Sequence, residues 1–319
     1  MLPTLDSKDE YRLLEARLKT LLPEEYKDSY DDVQPVSMGS AGLKYDEDGR
    51  VAWDEIWRSF CDLAMAGGPP HRGTLLAPAT KAVIDLQQER YGQVPYRQVL
   101  DELCRGVEMV TGLAAEPSPI PGWIHVDCPS TGMAGWLVRA INMENVSAHA
   151  EGMVLHLPAG PHFRLEKEIK NVVTSIAKTC HYWLGHTSVA QHRAIAELFS
   201  VMEGESPLIQ APFSIHNTRT TGTSTARFEK LRDKIAADIL SHTGLQATGR
   251  EYHGWLGIDC LNLRSAIWMM RVMVASNVLA RREDNLLYVP VNPSTDRSGK
   301  RSTGLVARAY RVARAQGVI

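Results

Sequence analysis

Two Asp-Cys pairs, Asp127-Cys128 and Asp259-Cys260, fall where an alternating apolar segment gives way to a run with helical spacing. A thiol at such a junction feels the unpaired amides and positive end of the helix, which favour the thiolate and lower its pKa. Two such thiols facing one another across a cleft suit two-base proton transfer at a carbon acid, the chemistry of a cofactor-independent racemase or epimerase. The plainer reading makes each cysteine a small buried apolar side chain and each aspartate a helix N-cap, with Arg139 and Arg271 as ion partners.

A second constellation joins His125, on the segment ahead of Cys128, to Cys180-His181 and His186 at the end of a helical run. His181 has the imidazole of a general acid or base near neutral pH, and a histidine at a helix carboxyl end is also favoured by the macrodipole alone. Thiolate and imidazole are preferred zinc ligands, so His125, Cys128, Cys180, His181 and His186 form an alternative metal set. Their spacing fits no finger or HExxH pattern, and neighbours on a helix such as Cys180 and His181 point about 100° apart. No cofactor is otherwise expected.

Anion-holding groups come from two loops. Gly67-Gly68-Pro69-Pro70-His71-Arg72-Gly73 offers permissive glycines and a planar guanidinium fork, and Asn217 to Arg227 offers hydroxyls with Arg219 and Thr221. The plain alternatives are a rigid turn and a solvated loop.

The elements that must position these groups follow from an internal register. Setting residue n beside n+132 pairs Thr111-Gly112-Leu113 with Thr243-Gly244-Leu245, Gly122-Trp123 with Gly254-Trp255, and the two Asp-Cys pairs with one another. It continues through Trp136 and Trp268, Arg139 and Arg271, Asn145-Val146 and Asn277-Val278, to Pro161 and Pro293. Within a unit the pattern predicts a strand at Thr74 to Ala77, a helix from Tyr96 to Val110, a strand from Trp123 to Asp127 and a helix from Met133 to Met143. Strands at Val146 to His149 and Val154 to Leu157 follow, turning at Glu151-Gly152 or Asp284-Asn285, and then a closing helix.

The expected fold is therefore α/β, with two tandem βαβαββα-like repeats whose mixed sheets are related by a pseudo-twofold, plus an N-terminal helical arm. Residues 1–50 form the arm, 51–188 the first repeat and 189–319 the second. In the arm, Ser7 and Glu10 make an S-x-x-E capping box ahead of Tyr11, Leu14, Leu18 and Leu21, and Leu43 to Val51 suggests a small hairpin around Asp48-Gly49.

A chain of 319 residues buries enough surface for one large or two ordinary cores without staples. The formal net charge of −2 gives no electrostatic reason to expect nucleic acid, and no apolar run is long enough for a membrane span. Five scattered cysteines do not resemble a secreted disulfide framework, which makes the cytoplasm the expected location.

Together these residues point to a cytoplasmic enzyme acting on a small anionic metabolite in a cleft between the repeats. His125, Asp127, Cys128, His181 and Cys260 would move protons as in an isomerase, epimerase or lyase, and His71, Arg72, Arg219 and Thr221 would hold substrate. A zinc-dependent hydrolase and a non-catalytic ligand-binding or scaffold protein are the rivals, and a homodimer remains open.

Overall fold

Strands form where apolar and polar residues alternate over a short run, and Trp123–Asp127 (β2) and Val154–Pro158 (β4) do so over five residues each. The computed structural model describes residues 7–27, 42–58, 72–213 and 223–317. They divide into two compact units, one of residues 23–189 and the other of residues 1–22 with 190–319. The amino-terminal helix thus belongs with the carboxyl-terminal half.

The unit of residues 23–189 includes the helices α2 (Lys81–Tyr91), α3 (Val94–Thr111), α4 (Thr131–Met143) and α5 (Lys170–Gly185). β1 (Ala115–Pro117) and β3 (His149–Glu151) complete an antiparallel sheet of order β1-β2-β4-β3. Ile124, Val126, Leu155 and Leu157 are fully buried and alternate with His125 and His156, so one sheet face is wholly apolar. α3 packs on β1 and β2, α4 on β3 and β4, and α5 on both helices, which places the core between sheet and helices.

The expected strand at Thr74 to Ala77 is reduced to one parallel bridge, Leu76 to Val146, and the named strands are all antiparallel rather than mixed. Leu76 donates to Asn145 O and accepts from Ser147 N; two residues later Pro78 has no N–H to extend the ladder. α2 was not foreseen because only Ile84 of its eleven residues is buried, although Thr80 caps it through Val83 N. The small hairpin is present: Tyr45 bridges Val51, and Asp46 Oδ1 accepts from Asp48 N and Arg50 N.

The other unit holds α1 (Ser7–Leu21), α6 (Val189–Glu205, whose first residue falls in the preceding unit), α7 (Thr223–Thr243), α8 (Leu263–Val274) and α9 (Lys300–Ala315). Its antiparallel sheet has the order β5-β7-β6, from Trp255–Asp259, Leu286–Pro290 and Arg281–Glu283. Ile209 bridges Val278 in parallel, again a lone bridge. α1 buries Leu14, Leu18 and Leu21, the one-faced pattern expected, and stacks Tyr11 on Trp268 with ring centroids 6.3 Å apart. Glu10 makes ion pairs with Arg308 and Arg311 of α9, and the Ser7 side chain of the expected capping box lies outside the described residues.

Candidate functional site

The β1-β2-β4-β3 register sets four polar side chains in one line across the sheet. Glu116 lies opposite His125, His125 opposite His156, and His156 opposite His149. Directly paired residues project to the same face, so the row occupies the side that alternates with the apolar one. Neighbouring imidazole centroids are 6.3 Å apart for His125 and His156 and 6.4 Å for His156 and His149, both edge to face.

The row is polarised from one end to the other. His125 Nε2 sits 2.7 Å from Glu116 Oε1, its side chain 18% exposed beside a carboxylate that is 70% exposed. An ionised Glu116 accepts the Nε2 proton and leaves Nδ1 as the base of that ring. His156, next in line, is buried, and burial together with the neighbouring His125 pushes its pKa down to about 4. It is neutral at physiological pH and lies 3.5 Å from Ser118 Oγ through Nδ1. His149 is also buried and has Glu151 3.8 Å from its Nε2. A carboxylate-imidazole couple at the open end, backed by neutral imidazole, is equipment for general acid-base chemistry.

The thiols are different from expectation. Cys128 is buried, and burial followed by the charge of Asp127 pushes its pKa up to about 12. Cys260 is likewise pushed up to about 12, chiefly by burial, and its thiol points to Met269 Sδ and Ile258 O at 3.8 Å each. Both lie two residues ahead of the N-caps, which are Ser130 and Asn262, not the aspartates. Those caps accept from Met133 N and Ser265 N, so part of the helix-end amide field is already spent, and desolvation dominates at the sulfur.

Asp127 is exposed at the end of β2, while Asp259 accepts from Leu261 N and Asn285 Nδ2, both at 2.8 Å, and holds its loop together. Arg139 Nη1 donates to Gly135 O at 2.6 Å. Cys260 belongs to the other unit, whereas Cys128 and the buried Cys180 of α5 are near enough that a Cys128 thiolate would raise the Cys180 pKa, secondary to burial.

At the carboxyl end of α5, His181 and His186 bring their Nε2 atoms to 3.1 Å. Tyr182 lies between them in sequence, and its hydroxyl meets Tyr26 Oη at 2.8 Å. Earlier on α5, Lys178 is buried in an ion pair with Glu144, which also accepts from Ser175 Oγ. Burial holds the Lys178 amine well below the usual lysine range.

Of the expected substrate-holding residues, His71, Arg219 and Thr221 lie outside the described residues, as does Cys61. Arg72 Nε donates to Thr74 O at 3.3 Å and its carbonyl accepts from Asn145 Nδ2 at 2.7 Å, fixing it beside the end of α4. Among the described residues, no three His, Cys, Asp or Glu side chains come together as metal ligands.

Sequence reasoning singled out His125 but missed Glu116, His149 and His156. The signal was present in the hairpin: a two-residue turn at Gly152-Met153 pairs Glu151 with Val154 and so must set His149 opposite His156. No family model, curated protein or solved structure matches this chain.

Proposed function

We propose that the unit of residues 23–189 carries acid-base chemistry, with His125 taking or giving a proton at a carbon acid in a small anionic metabolite, as an isomerase, epimerase or lyase does. The observation that carries this reading is the in-register row Glu116, His125, His156, His149, whose most accessible imidazole is coupled to a carboxylate. The anionic character of the substrate rests on Arg72 among the described residues. The buried cysteines, with pKa values raised, support scaffold roles instead of proton transfer. Free thiols throughout the described residues fit a reducing compartment such as the cytoplasm.

We further propose that the two halves descend from a tandem duplication and that one copy has specialised. β2 and β5, β3 and β6, and β4 and β7 are each 132 residues apart, and the parallel bridges Leu76 to Val146 and Ile209 to Val278 repeat the same connection. The register places Gly257, Tyr288 and Arg281 where the other half has His125, His156 and His149. There the Arg281 guanidinium lies 4.0 Å from the Tyr288 ring centroid and 4.4 Å from that of Tyr252, and it pairs with Glu283 at 2.8 Å. That cluster packs and offers no imidazole, so the acid-base role belongs to the first copy.

The test is solvent deuterium exchange. The purified chain is incubated in D2O with a panel of α-hydroxy, α-amino and α-keto acids, and loss of Cα–H in the first two classes and of Cβ–H in the keto acids is followed by proton NMR. One class of acid should exchange faster than in buffer, and His125→Gln should remove that exchange; exchange in no acid of the panel would reject the proton-transfer reading.

A further inference from the structure

α5 stops at Gly185, with His186 as its C-cap at φ −121° and ψ 1° and its N–H donating to Tyr182 O at 3.0 Å. On an uninterrupted helix, residues five apart point about 140° away from one another. Because the helix ends here, the His186 ring instead turns back over the last turn and meets His181. The Nε2 atoms are 3.1 Å apart, the ring centroids 4.9 Å, and the ring planes cross at 63°.

Those distances restrict how the two nitrogens are aimed. A straight Nε2–H···Nε2 bond of this length would hold the centroids about 5.4 Å apart, since each ring adds about 1.15 Å along the line. The observed 4.9 Å is shorter, so the ring axes bend away from the line joining the nitrogens. Shared equally and to the same side, the bend is about 40° per ring, close to that of two imidazoles bonded to one ion at about 2.0–2.1 Å. Both rings are half-buried, edged by Trp57 on the His181 side and by Tyr182 on the His186 side, which limits their freedom to swing apart.

We propose that His181 and His186 form a two-imidazole site for a divalent transition metal ion of the zinc or copper type, with water completing the coordination. Imidazole nitrogen suits these ions and not magnesium or calcium, which take oxygen ligands. With two protein ligands the ion is held weakly and exchangeably, unlike a structural three- or four-ligand centre. The site is separate from the Glu116–His125 couple and does not depend on the acid-base reading.

Zinc and copper salts, each alone, are titrated into the chelator-stripped full chain by calorimetry. One ion should bind per chain with a micromolar dissociation constant. Either His181→Ala or His186→Ala should weaken it at least tenfold, with an unchanged circular dichroism spectrum, and His125→Gln should leave it unaltered. In the unsubstituted chain, zinc should shift the 15N resonances of both imidazoles, and the copper form should give an electron paramagnetic resonance signal with two nitrogen ligands. Absence of saturable binding, binding that survives both alanine variants, or zinc that leaves both 15N resonances in place would overturn the proposal.

Discussion

Glu116 and His125 face one another across the β1–β2 ladder, their side chains joined at 2.7 Å, at the edge of a sheet whose opposite face is fully apolar. A pair so placed is fixed by backbone register, not by loop conformation. The Glu116 carboxylate is mostly exposed, so the pair contributes only about 0–1 kcal/mol to folding. Its separation of chemistry from stability makes it the sharpest handle on this protein.

His125→Gln should therefore unfold within about 1 kcal/mol of the parent in urea, while catalysed deuterium exchange falls by about 10²–10⁴-fold. Glu116→Gln should keep part of the activity, since it perturbs the tautomer of His125 without removing the ring. Equal loss of stability and activity in both variants would mean the pair is structural.

The raised thiol pKa values of Cys104, Cys128 and Cys260, each about 12, predict inert sulfur in the folded chain. At neutral pH, Cys128 and Cys260 should be alkylated only through opening of the fold, at a rate that urea accelerates steeply. Cys128→Ser should retain full activity. Rapid alkylation of native Cys128, measured by peptide mass spectrometry, would restore the case for a thiolate catalyst.

How much of this was legible beforehand depended on whether a signal was local. Trp123 to Asp127 shows period-two alternation and forms a strand over those residues; Leu14, Leu18 and Leu21 show helical spacing and form a buried stripe. α2 escaped notice because its face is mostly solvent-exposed, leaving no apolar period to detect. The Asp-Cys junctions were located correctly, but their electrostatics turn on burial and on capping by Ser130 and Asn262, which only packing decides. His149 and His156 are seven residues apart and meaningless singly; they acquire a role only once the hairpin register brings them together.

Gly122 and Gly254 occupy matching turns ahead of β2 and β5, at φ +89° and +79°. A Cβ at Gly122 would overlap the Ala79 carbonyl oxygen, and one at Gly254 would come within 2.9 Å of Pro212 Cδ. Gly152, at φ +61°, has open space around it. Gly122→Ala should thus cost about 3 kcal/mol or more and Gly254→Ala about 2, with Gly152→Ala near 1 from the left-handed backbone alone. Urea midpoints of the three variants test the order; a Gly152→Ala loss as large as that of Gly122→Ala would contradict it.

The buried His156 makes stability depend on acidity over a defined window. Unfolded, it takes up a proton as pH falls through about 6.5; folded, it resists until about 4, because burial and then the adjacent His125 oppose the charge. The unfolded chain binds more protons between those values, so folding weakens as pH drops across the window and this contribution flattens below it. A shift of this size amounts to about 3 kcal/mol, present in full above pH 6.5. Among the described residues, the groups facing His156 include His125 and His149 on the neighbouring strands and the Ser118 hydroxyl, with Glu116 and Glu151 at the ends of the row. His156→Gln keeps a polar side chain but cannot titrate, so its unfolding free energy should fall less than the parent's between pH 7 and pH 4. Parallel pH profiles for the two proteins would show that His156 binds protons equally in the folded and unfolded chain, and so that the fold does not lower its pKa.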